Sequence, residues 1–196
     1  ASNMSQYGRV SLWTDGACTN NQDHRLRRAG CGIFYSQDHA LNLSCILPGR
    51  TQSNQRAELL AVVLALRRDP RDLDIRTDSD WVYQGALHWR SWVGNGWKGD
   101  HGDLWKQLAS ELASRSDVGV VFTKVKGHAT DLDVERGRVD ACDKFGNDGA
   151  DLLAVDGAAS HCVAPDIVAR THARKAAAQG LHQMMLEIVA QRRLSE

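Results

Sequence analysis

Apolar and polar side chains alternate along residues 9–14, RVSLWT, the period of a strand, and this run ends on a carboxylate, Asp15. The next stretch, NNQDHRLRRAG at 20–30, is polar, basic and closed by Gly30, which predicts a hairpin loop. CGIFYS (31–36) and LNLSCIL (41–47) then complete a three-strand meander. The period changes in SNQRAELLAVVLALRR (53–68). Ser53 or Asn54 can cap a helix whose apolar positions 59, 60, 63, 64 and 66 share one face up to the stop at Asp69-Pro70. LDIRT (73–77) is a short strand that runs into Asp78.

A helix is predicted from Asp80 to Trp89, then an aromatic and glycine-rich piece, HWRSWVGNGWKGDHG, then a helix marked by Leu104, Leu108 and Leu112. VGVVFTKV (118–125) is a fifth strand. A polar loop is expected over 127–146, a helix from NDGADLLAVDGA (147–158), and a last helical stretch over 165–195 with Leu181, Met184, Met185 and Ile188 on one face. The order β-β-β-α-β-α-α-β-α plus a tail predicts a mixed α/β domain built on one sheet.

Composition narrows the class of protein. The 196 residues, 42% apolar and 24% charged, suit one globular domain with an appendage. No apolar run reaches the ~18 residues of a membrane span, and the first residues lack a basic-then-apolar leader. ASN before Met4 reads as a cloning remnant, so residues 1–8 are expected to be that remnant and a flexible N-terminus. Five cysteines (Cys18, Cys31, Cys45, Cys142, Cys162) without a C-x-x-C pair argue against a disulfide framework and a zinc knuckle, and for an intracellular, reducing compartment. The formal net charge is zero, so a nucleic-acid partner would have to be held by local basic patches.

The candidate chemistry lies in the acids. Asp15 and Asp78 end two predicted strands, and Glu58 stands near the start of the helix after Asn54. Were the two strands neighbours, these acids would emerge side by side. Several ionised carboxylates in one pocket need a cation, and oxygen ligands suit Mg²⁺ or Mn²⁺. Two such ions form a clamp for in-line attack on a phosphodiester. Each acid alone has an ordinary reading, as a turn residue, a helix-dipole partner or a cap.

Seven segments, TDGAC (14–18), SNQRAEL (53–59), TDSD (77–80), NGWK (95–98), DLW (103–105), VKGHAT (125–130) and NDGADLLA (147–154), together resemble ribonuclease H of the type 1 class, in that family's order. The resemblance implies the ribonuclease H-like fold, a five-stranded mixed sheet flanked by helices. It places a catalytic domain at 9–155 and leaves 156–196 as a C-terminal helical extension. It also implies a hydrolase that cuts the RNA strand of RNA–DNA hybrids with two Mg²⁺ ions, Mn²⁺ being a possible substitute, and leaves 5′-phosphate and 3′-hydroxyl ends. Asp15, Glu58, Asp78 and Asp151 become the catalytic metal ligands, with Asp15 between the two ions. Asp151 is preferred to the neighbouring Asp140, Asp143 and Asp148 because Asn147, Leu153 and Ala154 flank it as in the family pattern. His128 is implied in proton handling and product release.

By the same resemblance Asn21, Asn54 and Gln55 contact the RNA strand. Arg50 and Ser53 help grip a DNA phosphate, and the tryptophan-rich segment with Trp89, Trp92, Trp97, Arg90 and Lys98 lines a DNA-strand channel. Packing in the core is the competing reading of those tryptophans. Two departures stand out. His101 occupies the place of the family's phosphate-pocket asparagine. The segment TDLDVERGRVDACDKFG, with Asp131, Asp133, Glu135, Asp140 and Asp143, is longer than usual and reads as a solvated insertion, with a cap over the site as the alternative.

The tail is expected to pack back on the domain. No hybrid-binding module is expected ahead of the first strand. The partner is the hybrid, the expected state a monomer, and both a free-standing enzyme and a domain following a reverse transcriptase in a retroelement polyprotein stay open. The competing functions are a DNA-cutting nuclease of the same fold and an inactive nucleic-acid-binding module.

Overall fold

The computed structural model describes residues 8–96, 98–115 and 119–194; Trp97 and residues 1–7, and so most of the expected cloning remnant, lie outside them. Five strands form one sheet in the order β3-β2-β1-β4-β5: β1 (Val10–Thr19), β2 (Arg28–Phe34), β3 (Leu43–Ile46), β4 (Leu73–Thr77) and β5 (Val120–Lys124). β1 is antiparallel to β2 and parallel to β4, and β4 is parallel to β5. The sheet is therefore mixed, as predicted.

Alternation along the central strands divides the core in two. Leu12, Ile33 and Ile75 belong to the larger cluster, with Leu59, Val63, Trp105 and Leu108 from α1 (Asn54–Arg68) and, beyond α2 (Asp80–Leu87) and α3 (Trp89–Gly94), from α4 (Gly102–Ala113). Their chain neighbours Trp13 and Phe34 turn to the other face and pack with Val125 and with Ala150 of the long helix over 141–159. That helix lies against the sheet because both surfaces are stripped of side chain. A Cβ on Gly32 would fall on the backbone carbonyl of Ala150 and 2.7 Å from Ala154 N. Neither backbone atom can move without displacing the helix, so Gly32→Ala should destabilise the fold by about 3 kcal/mol. Thermal melting of the variant reads this as a drop of roughly 6–12 °C.

Several expectations need correction. β1 does not end at Asp15. Its parallel partner stops at Thr77, opposite Thr14, but pairing with β2 continues to Thr19 opposite Arg28, so only one edge of β1 is released at Asp15. The predicted helix from Asp80 breaks at His88, and α3 begins at Trp89. The loop over 127–146 is largely helical, with α5 (Asp131–Glu135) capped by Thr130 and α6 (Ala141–Ala159) capped by Asp140.

The insertion stays mostly exposed, with buried anchor points at Asp133 and Gly146. Asp133 is buried in a capping box, Asp131 pairs with Lys144, and Asp143 takes hydrogen bonds from Arg76 and the Trp13 indole. α6 runs to Ala159, and the first compact unit extends to Cys162.

The second unit, residues 163–196, contains α7 (Pro165–Leu194), none of whose residues is buried. Leu181, Met184, Met185 and Ile188 lie on α7. All five cysteines are free thiols. Among the described residues no helix is long and apolar enough to cross a membrane.

Candidate active site

The parallel pairing of β1 with β4 decides where the acids meet. Thr14 pairs with Thr77, so Asp15 and Asp78, the next residue after each, stand side by side where the β1–β4 pairing ends. Glu58 joins them from α1. A Cβ on Gly16 would fall on Glu58 N, so the missing side chain lets this turn of the helix sit directly on the strand. Asp151 comes from the middle of α6 and His128 from the loop after β5. Asp15, Glu58, Asp78, Asp151, His128 and Asn54 line one open cleft at this edge of the sheet.

Two of the four carboxylates in that cleft, Asp15 and Glu58, are held less acidic than usual. The Asp15 pKa is pushed up to about 8, chiefly by burial, then by the charge of Asp78, with smaller contributions from Asp151 and Glu58; the Gly16 N–H, which donates to Oδ1 at 2.7 Å, opposes the shift. The Glu58 pKa is also raised, first by burial and then by Asp78, against the stabilising Ser79 hydroxyl, the Asn54 amide and the Lys124 ammonium. Asn54 Nδ2 donates to Glu58 Oε1 at 2.7 Å.

Lys124 acts on Glu58 but leaves its pKa raised, and a donor set made only of carboxylates fits a hard divalent cation such as Mg²⁺. Among the described residues no three His, Cys, Asp or Glu side chains are already closed to metal-ligand spacing. The acids ring the cleft rather than collapse into it.

Two residues not singled out from the sequence complete the setting of Asp78. Asn147 is buried and directs its amide at Asp78 Oδ2, 3.4 Å away. Gly127 has no space for a side chain, since a Cβ there would strike Asp78 Oδ2 and stand 3.1 Å from its carboxyl carbon. Asn147 entered the sequence reading only as a marker for Asp151, and a glycine beside the motif histidine carries no signal of its own. The competing acid Asp148 is held by Lys144 at 2.7 Å, while Asp151 lines the cleft and acts electrostatically on Asp15. Asp140 and Asp143 are occupied by the cap and by the Arg76–Trp13 contact.

The expected substrate residues are brought together only in part. Asn54 lines the cleft, and Gln55 is exposed beside it on the first turn of α1. Ser53 caps α1 by accepting from Arg56 N, and its hydroxyl lies 3.4 Å from His101 Nε2. His101 adopts a left-handed backbone, φ 60°, just before α4, and packs edge-on against Trp81. Burial, helped by Arg56, lowers its pKa and favours the neutral ring. The ion pair of Arg56 with Asp103 ties α4 to α1 and so keeps His101 beside Ser53.

Arg50 is exposed in the preceding turn, and Asn21 is exposed in the β1–β2 hairpin, where its carbonyl accepts from Arg27. Trp89 and Trp92 do not line the carboxylate cleft; both are half-buried against the larger core, Trp92 edge-on to Trp105 at 5.6 Å. Trp97 lies outside the described residues.

Comparison with known proteins identifies the family. The family model described as RNase H matches residues 8–159. This chain belongs to the RNase H family. The ribonuclease H of Schizosaccharomyces pombe is 35% identical over 156 residues, 76% of this chain and 53% of that protein. Human ribonuclease H1 is 34% identical over 155 residues, 76% of this chain and 50% of that protein. The chain thus spans about half the length of these two relatives. Against the ribonuclease H of Aromatoleum aromaticum the identity is 34% over 160 residues, covering 76% of this chain and 95% of that one.

Among solved structures, a foamy viral protease–reverse transcriptase in complex with an RNA/DNA hybrid aligns with TM-score 0.59 at 21% identity, over 77% of this chain and 20% of that one. The prototype foamy virus RNase H domain gives TM-score 0.56 at 23% identity, over 76% and 94% of the two chains. At such identities these likenesses show the RNase H fold alone.

Proposed function

We propose that this RNase H family member is an endonuclease that hydrolyses the RNA strand of RNA–DNA hybrids. The observation that carries the reading is the convergence of Asp15, Glu58, Asp78 and Asp151 on one cleft, with the Asp15 pKa raised to about 8 by burial and by its fellow acids. In this reading these four side chains hold two divalent cations, Mg²⁺ or in its place Mn²⁺. When bound, the cations supply positive charge that lets water ionise near neutral pH and that balances the leaving oxygen. The water attacks phosphorus in line, the bond to the 3′ oxygen breaks, and the products carry a 5′-phosphate and a 3′-hydroxyl.

The chain's own groups set up this chemistry. Asn54 and Ser79 orient Glu58, and Asn147 and Gly127 fix the Asp78 carboxylate. His128, on the rim, takes and returns a proton as product leaves. Asn54 and Gln55, at the start of α1, are suited to sense 2′-hydroxyls of the RNA strand. Ser53 and the neutral His101 offer hydrogen bonds to a phosphate of the DNA strand, and exposed Arg50 and Asn21 extend that polar surface. A lone domain would act as a monomer. A place beside a reverse transcriptase in a longer polypeptide is supported only by the shared fold.

The test is cleavage of end-labelled RNA–DNA hybrid with Mg²⁺, alongside single-stranded RNA, RNA duplex and DNA duplex. Cutting confined to the RNA strand of the hybrid is expected. Cutting of DNA duplex would favour a DNA nuclease, and binding of the hybrid without cutting would favour an inactive module. In the same assay Asp151→Asn should lower the rate by about 100-fold or more, while Asp148→Asn stays within about threefold of wild type. The reverse order would move the fourth ligand to Asp148.

A further inference from the structure

We propose that Asp133 is a positioning residue for His128, holding shut the two ends of the short loop that carries it. The inference rests on the catalytic reading of the cleft and concerns the acidic segment after β5, which that reading leaves without a task. Residues 126 and 130 bracket the loop, and the Asp133 carboxylate takes both. Lys126 Nζ approaches Oδ1 at 2.8 Å, and Thr130 donates to Oδ2 from its backbone N at 3.0 Å and its hydroxyl at 2.8 Å. Arg138 adds a longer ionic contact to Oδ1 at 3.8 Å. Asp133 is 6% exposed, while its cationic partners Lys126 and Arg138 are more than half exposed, so the carboxylate is held at the surface by a set of contacts rather than by one strong pair.

Between the brackets the backbone is constrained at every residue. Gly127 abuts the Asp78 carboxylate, and Ala129 is buried. His128 between them has φ 47°, a left-handed conformation that a non-glycine residue keeps only when its surroundings over-determine it. α5 passes this constraint on to α6. Arg138 N donates to the Asp133 carbonyl at 2.8 Å, and Lys144 spans Asp131 and Asp148. The segment therefore acts as a splint between the histidine loop and the helix that carries Asp151. Loss of the Asp133 carboxylate releases residues 126 and 130 together and lets His128 leave the rim, while every candidate ligand stays in place.

Initial rates on the labelled hybrid with Mg²⁺ are measured for wild type, Asp133→Ala, His128→Ala and the double variant. Asp133→Ala is expected to lower kcat by about tenfold with KM within about twofold, and the double variant is expected to be no slower than His128→Ala alone. Losses that multiply in the double variant, or a wild-type kcat in Asp133→Ala, overturn the proposal.

Should Asp133→Ala fail to fold, Thr130→Val carries the same comparison. It removes one donor from the carboxylate and should slow wild type by about threefold but leave His128→Ala unaffected.

Amide hydrogen exchange reads the clamp without activity. Residues 127–129 should exchange at least about tenfold faster in Asp133→Ala, or about threefold faster in Thr130→Val, with sheet amides unchanged. Unaltered exchange at 127–129 overturns the clamp. A wild-type chain that cuts no hybrid overturns the functional reading and the catalytic consequence, and is distinguished by an exchange response that persists.

Discussion

Asp78→Asn should reduce hybrid cleavage by at least about 10³-fold while leaving the protein folded. The substitution keeps the shape of the side chain and removes one negative charge from the carboxylate cleft. The Asn147 amide that faces Oδ2 can still find an oxygen, because the new side chain can turn its carbonyl toward it. Cation binding suffers directly, since a neutral amide is a weaker ligand for Mg²⁺ than a carboxylate. The check is a rate measured beside a melting curve, with calorimetric titration of Mg²⁺ into both proteins. Residual activity above about one tenth of wild type would remove Asp78 from the catalytic set.

The second large effect is on stability and has the opposite sign. In the ion-free protein the Asp15 pKa is raised from 3.8 to about 8, so the folded state keeps a proton that the unfolded chain gives up. The native state therefore binds more protons across this range, and stability falls as pH rises from about 4 to about 8, then levels off. An amide in place of this carboxyl cannot ionise, so the Asp15→Asn protein should lose that part of the pH dependence. At pH 8 in chelator it should be more stable than wild type by about 2 kcal/mol, a rise in Tm of roughly 4–8 °C.

Added Mg²⁺ should raise the wild-type Tm at pH 8 by linkage and raise the variant's far less. Melting curves at pH 5 and pH 8, with and without Mg²⁺, separate these effects. A wild-type Tm in chelator that rises between those two pH values would contradict the raised pKa. Loss of activity with gain of stability at one residue is expected where like charges are gathered for a cation.

Much of this was legible along the chain, for local reasons. β4 was readable from five residues of LDIRT, and α1 from its Ser53 cap, its apolar spacing and the Asp69-Pro70 stop, because caps and periodicity act within a few residues. The acids after β4 and inside the 53–59 motif could be named for the same reason. α5 and the first turns of α6 were missed because their caps, Thr130 and Asp140, stand in a segment rich in charge and poor in apolar residues. Trp89 and Trp92 were open to two readings because an aromatic beside a basic residue looks the same in a channel and in a core.

The sequence by itself determined the order of the five strands, the mixed α/β class and the type of chemistry, since a carboxylate at a strand end needs a partner wherever the chain folds. Only the tertiary structure decided which acids share one charge problem. Asp15 meets Asp78 through the register Thr14–Thr77, and both meet Glu58 because Gly16 lets α1 approach. Asp143 is taken away by Arg76 and Trp13, Asp148 by Lys144, and Asp133 by Lys126 and Thr130. Five acids of one short segment look alike in the sequence. Burial and the partners that reach them, Arg76 from β4 and Trp13 from β1 as well as the nearer Lys126 and Lys144, are what give them different roles.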